Sequence, residues 1–194
     1  MKSGIRWIAV LLILPLMFAA QGCSNSSSPS EPEAVLIGSF PLSSIATYLH
    51  LCTNPGDPFD DSAAADTTPI ELADYGLAPG NSITIEIVGD FDNGNGQRER
   101  AVAVFSSSDE LLAKSEAHRV PGAIAAGTAF VTTPNEGCGH EPTDIPEDFD
   151  CTPEVSITIP QGASHIFICA RDSYYSDNRD AENDFGVKIW KHGD

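Results

Sequence analysis

The chain predicts an all-β fold: an antiparallel β-sandwich, jelly-roll-like, stapled by two disulfides. Three observations predict the strands and their arrangement. Short segments alternate apolar and polar residues at the period of a half-buried strand. Clusters of Gly, Pro and Asn separate them, and no long stretch carries a helical apolar period.

Taken in order, Ala34-Val-Leu-Ile-Gly38 is the first strand, and Ile45 to Cys52 fits either a strand or a short helix. Asn54 to Thr68 is a polar loop rich in turn residues. Ile70 to Tyr75 alternates, Leu77 to Asn81 turns, and Ser82 to Val88 alternates again. Asp90-Phe-Asp-Asn-Gly-Asn-Gly96 follows; an Asn-Gly between two alternating runs predicts a hairpin, because the primed turn needs positive φ. Arg100 to Phe105 is the next strand, with Leu111-Leu112 and Ala129 to Thr132 as two shorter candidates. Ser108 to Ala117 is the one stretch with helical spacing. Glu154 to Ile159, His165 to Ala170 and Phe185 to Trp190 close the series, and no internal repeat is present.

The N-terminus predicts export. Lys2 and Arg6 precede an apolar core from Trp7 to Ala20, and small residues close the segment at Ala20-Gln-Gly-Cys23. The apolar run falls short of the ~20 residues that span a bilayer. Its ending resembles a bacterial lipobox, which implies that residues 1–22 are removed and that Cys23 is lipidated. The chain would then be anchored in a membrane through its N-terminal lipid. Ser24 after the cysteine implies, by the same resemblance, the outer membrane of a bacterial cell envelope. Residues 23–33 are Ser/Pro-rich and form a flexible tether, which leaves 34–194 as one domain large enough to bury a core.

The net charge is −18, and it becomes about −20 once Lys2 and Arg6 leave with the signal segment. Such acidity excludes nucleic acid as a partner, because a phosphate backbone attracts basic surfaces. The remaining cysteines are Cys52, Cys138, Cys151 and Cys169, an even set that in an exported protein implies two disulfides with three connectivities. Cys138 and Cys151 bracket a Gly/Pro/Asp-rich loop and are the expected pair, which leaves Cys52 with Cys169. A zinc site on Cys138 and His140 is the competing expectation, disfavoured by the absence of a CxxC pair.

Two loops concentrate hard oxygen donors. Asp172, Asp177, Asn178, Asp180, Glu182, Asn183 and Asp184 lie close together with one Arg among them, between two strands. Asp90, Asp92 and Asn93 supply the second set. Carboxylates so crowded repel one another unless solvated or neutralised, and Ca²⁺, which takes six to eight oxygens, would neutralise them. Neither loop is an EF-hand. Counting from Asp90, the glycine and acid positions hold Asn95 and Ala101; counting from Asp180, the glycine position holds Phe185. The expectation is therefore a composite calcium site where two loops meet at one end of a sandwich.

Pro79-Gly-Asn-Ser-Ile-Thr-Ile-Glu-Ile-Val-Gly89, Ile159 to Asp172 and the later DN…F-x-V-x-I resemble the galactophilic (PA-IL-type) bacterial lectins, small calcium-dependent β-sandwiches. The resemblance covers residues 77–190 and implies calcium ligands at Asp172, the Asn93 carbonyl and the Ser176 carbonyl. Asp177 and Asn178 lie two residues before the family's adjacent amides, and gapless counting lands on Arg179 and Asp180 instead. The family's sugar wall, a long insertion after the first calcium loop, is missing here, so specificity for galactose does not carry over. Tyr174 and Tyr175 are candidate stacking faces for a carbohydrate.

No enzyme motif is present: G-x-S-x-G, H-E-x-x-H and a phosphate-binding Gly-Lys loop are all absent. The expected role is that of a surface binding module, for carbohydrate or for an envelope or extracellular protein. The alternative is a structural lipoprotein in which calcium only stabilises loops.

Overall fold

The computed structural model describes residues 33–94, 96, 100–127, 145–172 and 174–193. The expected signal segment, Cys23, most of the expected tether, the Ala129–Thr132 candidate, Cys138 and His140 lie outside the described residues. The architecture is nearly all-β and sandwich-like, built of antiparallel sheets, with one 3₁₀ turn at Leu72–Tyr75 and no α-helix among the described residues.

The first sheet runs in the order β1 (Val35–Pro41), β11 (Gly186–Lys191), β5 (Ser82–Val88), β9 (Glu154–Thr158). The second runs β4 (Ile70–Glu71), β10 (His165–Ala170), β6 (Ala101–Ser106), β7 (Ala123–Ile124), with β8 (Phe149–Asp150) also on β6. The short strands β2 (Ala46–Thr47) and β3 (Ala65–Asp66) form a separate parallel pair. Strand β1 carries a register shift between Leu36 and Gly38.

The period-two pattern explains the layering. Ile83 and Ile85 of β5, Val155 and Ile157 of β9, and Val187 and Ile189 of β11 all face inward. They meet Ala103 and Phe105 of β6 and Ile166 and Ile168 of β10, forming one core between the sheets. The opposite face of the second sheet is covered too: Val102, Val104, Phe167 and Cys169 pack with Tyr48, Leu49, Val120 and Ile145. Both faces of β6 and β10 are thus buried, which is why their sequences are apolar runs and not alternations. Each fully buried Ile or Phe contributes ~1.5–3 kcal/mol relative to leaving it exposed.

Arg119 closes the second core. It is fully buried and donates to the carbonyls of Leu112 (3.0 Å), Thr47 (3.3 Å) and Leu49 (3.0 Å), and to Asp66 Oδ1 (2.6 Å). The guanidinium thereby ties three separate chain segments to one point.

Several expectations fail. Leu111-Leu112 forms no strand and Ser108–Ala117 no helix, and the alternation of Ile70–Tyr75 yields only β4 before turning into the 3₁₀ helix. The Asp90–Gly96 turn is not a hairpin, because β5 belongs to the first sheet and β6 to the second. No disulfide joins the described cysteines. The expected Cys52–Cys169 pairing does not form, since Cys169 points into the second core and its sulfur shares a 3.5 Å hydrogen bond with Thr47 Oγ1. Cys151 faces the other core as a thiol, donating to the Phe149 carbonyl at 4.0 Å. Burial pushes the Cys169 thiol up to about 12 and the Cys151 thiol well above its ordinary value.

Candidate functional site

The strand registers bring the two acidic loops to the same end of the molecule. Val88, at the end of β5, pairs with Gly186 at the start of β11. Ala101, at the start of β6, pairs with Ala170 at the end of β10. Both the β5–β6 and β10–β11 connections therefore cross from one sheet to the other, side by side. An isolated antiparallel bridge clasps them: the Asp92 N–H donates to the Arg179 carbonyl, and the Arg179 N–H returns to Asp92, each at 2.8 Å.

Around this clasp the acids sort into different tasks. Asp180 and Asp184 act within or between the loops: Asp180 accepts from the N–H groups of Asp184 and Phe185 (3.2 Å each), and Asp184 Oδ1 accepts from the Asp90 N–H at 3.3 Å. Asp92 Oδ1 accepts from the Gly96 N–H at 3.0 Å. Asn93 is half-buried beside it. Asp172, just past β10, accepts from the Tyr174 N–H at 3.5 Å and lies beside the Tyr175 hydroxyl.

Asp177 is different. Its carboxylate leans against the β5–β6 loop so closely that a Cβ on Gly94 would overlap its Oδ2, and Gly94 itself holds φ +75°. Its Oδ1 is buried and accepts from no donor among the described residues. Neighbouring Asn178 is 6 % exposed; its Nδ2 donates to the Ser44 carbonyl at 2.8 Å, while its Oδ1 is likewise buried without a donor. Two consecutive residues thus present unmet acceptor oxygens. Burial, reinforced by the charges of Asp61 and Asp92, raises the Asp177 carboxyl above its ordinary range, and Arg179 works against that shift.

Asp61 was not legible as part of this region. It is 2 % exposed, and its carboxylate accepts from the Tyr175 N–H (2.6 Å), the Ser176 N–H (2.9 Å) and the Ser176 hydroxyl. It anchors the β10–β11 loop from a distant part of the chain and spends the Ser176 side chain in doing so. Its neighbours Asp57 and Asp60 look the same in sequence; only burial separates them.

Tyr175 is corrected as a ligand platform. It is 1 % exposed, packs in the core and donates its hydroxyl to the Ala170 carbonyl at 2.9 Å, so its ring has no free face. Tyr174 remains half-buried.

The donor set fits a hard cation. Buried acceptors left unmet cost ~1–3 kcal/mol each, and a cation satisfies several at once while cancelling carboxylate repulsion. Among the described residues no three His, Cys, Asp or Glu side chains are gathered closely enough to hold a metal by themselves. Coordination would therefore depend on the Asn178 amide oxygen and on carbonyls, together with Asp177 and Asp92. Compared with known protein families, curated proteins and solved structures, the chain gives no match.

Proposed function

We propose that the chain is an exported, lipid-anchored, non-catalytic binding module of jelly-roll type, held at the bacterial outer membrane through Cys23. Its clasped β5–β6 and β10–β11 loops bind Ca²⁺. The observation that carries this reading is the pair of buried, donorless oxygens on Asp177 and Asn178 beside the Asp92–Arg179 clasp. The resemblance to galactophilic lectins supplies the ligand class: vicinal hydroxyls of a carbohydrate completing the calcium shell, with Tyr174 as the remaining aromatic neighbour.

Calcium at about a hundred times its dissociation constant stabilises a protein that binds it only when folded by ~2.7 kcal/mol. For a chain of this size that corresponds to a rise in Tm of about 5–10 °C. The test is thermal unfolding in CaCl₂ and in EDTA for the wild type, Asp177→Asn and Asn178→Ala. The wild type should gain stability with calcium, and both variants should lose most of that gain. A wild type indifferent to calcium overturns the reading. Glycan-array binding that vanishes in EDTA supports carbohydrate recognition, whereas blank arrays with an intact thermal shift assign calcium the purely structural role.

A further inference from the structure

One edge of the sandwich holds a cleft of about 570 Å³. It lies where the edge strand of one sheet, β1, stands apart from the edge strand of the other, β4. That volume falls within the range of small-molecule sites. Its walls are of two kinds. Phe40, Ile70 and Tyr75 supply apolar surface; the two rings meet edge to face at 4.9 Å and 76°, and Tyr75 stays 41 % exposed. Glu71, Asp74, Asp109, His165 and the Thr68 hydroxyl supply the polar groups, and among the described residues no Lys or Arg lines the cleft.

The geometry points to an organic cation as the occupant: an ammonium or guanidinium group carried on an apolar stem. The argument rests on matching donors to acceptors. A neutral sugar presents hydroxyl and ring oxygens that need donors as well as acceptors. Among the polar groups here three of five are carboxylates, which only accept; Thr68 adds a single hydroxyl, and the His165 Nδ1 is already engaged with Ser164 Oγ at 2.8 Å. An ammonium or guanidinium group only donates, so it complements the lining. Its stem matches Phe40 and Ile70, and the exposed Tyr75 ring offers a cation–π face. The same chemistry reaches the cleft from a free polyamine or from a Lys or Arg side chain of a peptide.

The test titrates agmatine, Nα-acetyl-arginine amide and galactose into the ¹⁵N-labelled protein in calcium-free buffer, followed by amide chemical shifts and calorimetry. Both guanidinium probes should move the amides of Glu71, Asp74 and Tyr75, compete with each other and weaken as salt rises. The variant Glu71→Gln/Asp74→Asn should lose about tenfold or more in affinity, as expected when hydrogen bonds to a charged acceptor are removed. Tyr75→Ala should weaken binding and Tyr75→Phe should keep it; these side chains are exposed, and circular dichroism checks that each variant folds. Tighter binding of agmatine assigns a free amine as the source, and tighter binding of the arginine amide a peptide. The proposal is overturned by the absence of shifts at millimolar probe, by shifts elsewhere only, by an unchanged affinity in the double variant, or by galactose binding equally well at the same amides.

Discussion

Replacing Asp61 measures how much of the candidate loop's order depends on one distant side chain. In Asp61→Ala, the N–H groups of Tyr175 and Ser176 lose their acceptor, as does the Ser176 hydroxyl. Hydrogen bonds to a charged acceptor are worth ~1.5–3 kcal/mol each, and the Tyr175 N–H sits where water does not easily replace the partner. Relief of the repulsion between Asp61 and Asp177 offsets part of this, though modestly because Asp177 is partly solvated. The expected net loss is about 3–4 kcal/mol, a large share of the ~5–15 kcal/mol that holds a typical domain together. Urea unfolding in EDTA should show a lower midpoint at unchanged m, and hydrogen exchange should quicken at Tyr175 and Ser176. Asp60→Ala is the control: that half-buried carboxylate accepts from the Ser62 N–H at 3.2 Å, and its loss should stay under about 1 kcal/mol. A loss below about 1 kcal/mol in Asp61→Ala, with unchanged exchange at 175–176, would refute the anchoring role.

Further outcomes are expected. Gly94→Ala should cost ~1–2 kcal/mol from its positive φ and also shrink the calcium-induced thermal shift by displacing Asp177. Gly56→Ala, at φ +90° in open space, should cost only the strain and leave the shift intact, which paired thermal scans will show. Arg119→Met should lower stability by about 2–4 kcal/mol in urea, because the buried Leu49 carbonyl and the half-buried Leu112 carbonyl lose their donor. Asp66→Asn should cost under about 1 kcal/mol, since Asp66 is 54 % exposed. The Cys151 and Cys169 thiols should resist Ellman's reagent at pH 8 in the native protein and react once guanidinium unfolds it. Because folding raises both, the neutral thiol is the favoured native form, and they bring no pH dependence to stability until alkaline pH is reached.

The strands that were legible carry local patterns strong enough to survive any partner. Ser82–Val88 alternates because one face meets the core and the other meets water, and β9 and β11 follow suit. What remained hidden was partner choice. Positive φ at Gly94 and Gly96 serves a crossover between sheets as well as a hairpin, so the Asn-Gly signal could not tell the two apart. The Cys52–Cys169 expectation counted cysteines but could not see that strand register turns Cys169 into the second core, against Thr47. Asp177 and Asn178 were visible as candidates from residue type alone. Asp61 was not, because its role follows from burial and from contacts more than a hundred residues away. Tyr175 failed in the same way: an aromatic in an acidic loop gives no sequence sign of which side of the backbone is solvent.

The two outer strands of the first sheet have a consequence for how this molecule behaves in a crowd. Among the described residues, strands β1 and β9 each pair on one side only, which leaves a row of backbone groups able to recruit a second chain and begin a growing ribbon. Neither row is a clean template. Strand β1 is broken by the shift at Leu36–Gly38 and ends on Pro41. Strand β9 runs for only five residues between Pro153 and Pro160 and opens on the exposed Glu154. A proline offers no N–H and a bulge spoils the spacing, so an incoming strand would find only a few rungs before the ladder fails. Copies packed densely would thus be kept from zipping together by backbone punctuation as well as by their shared negative charge.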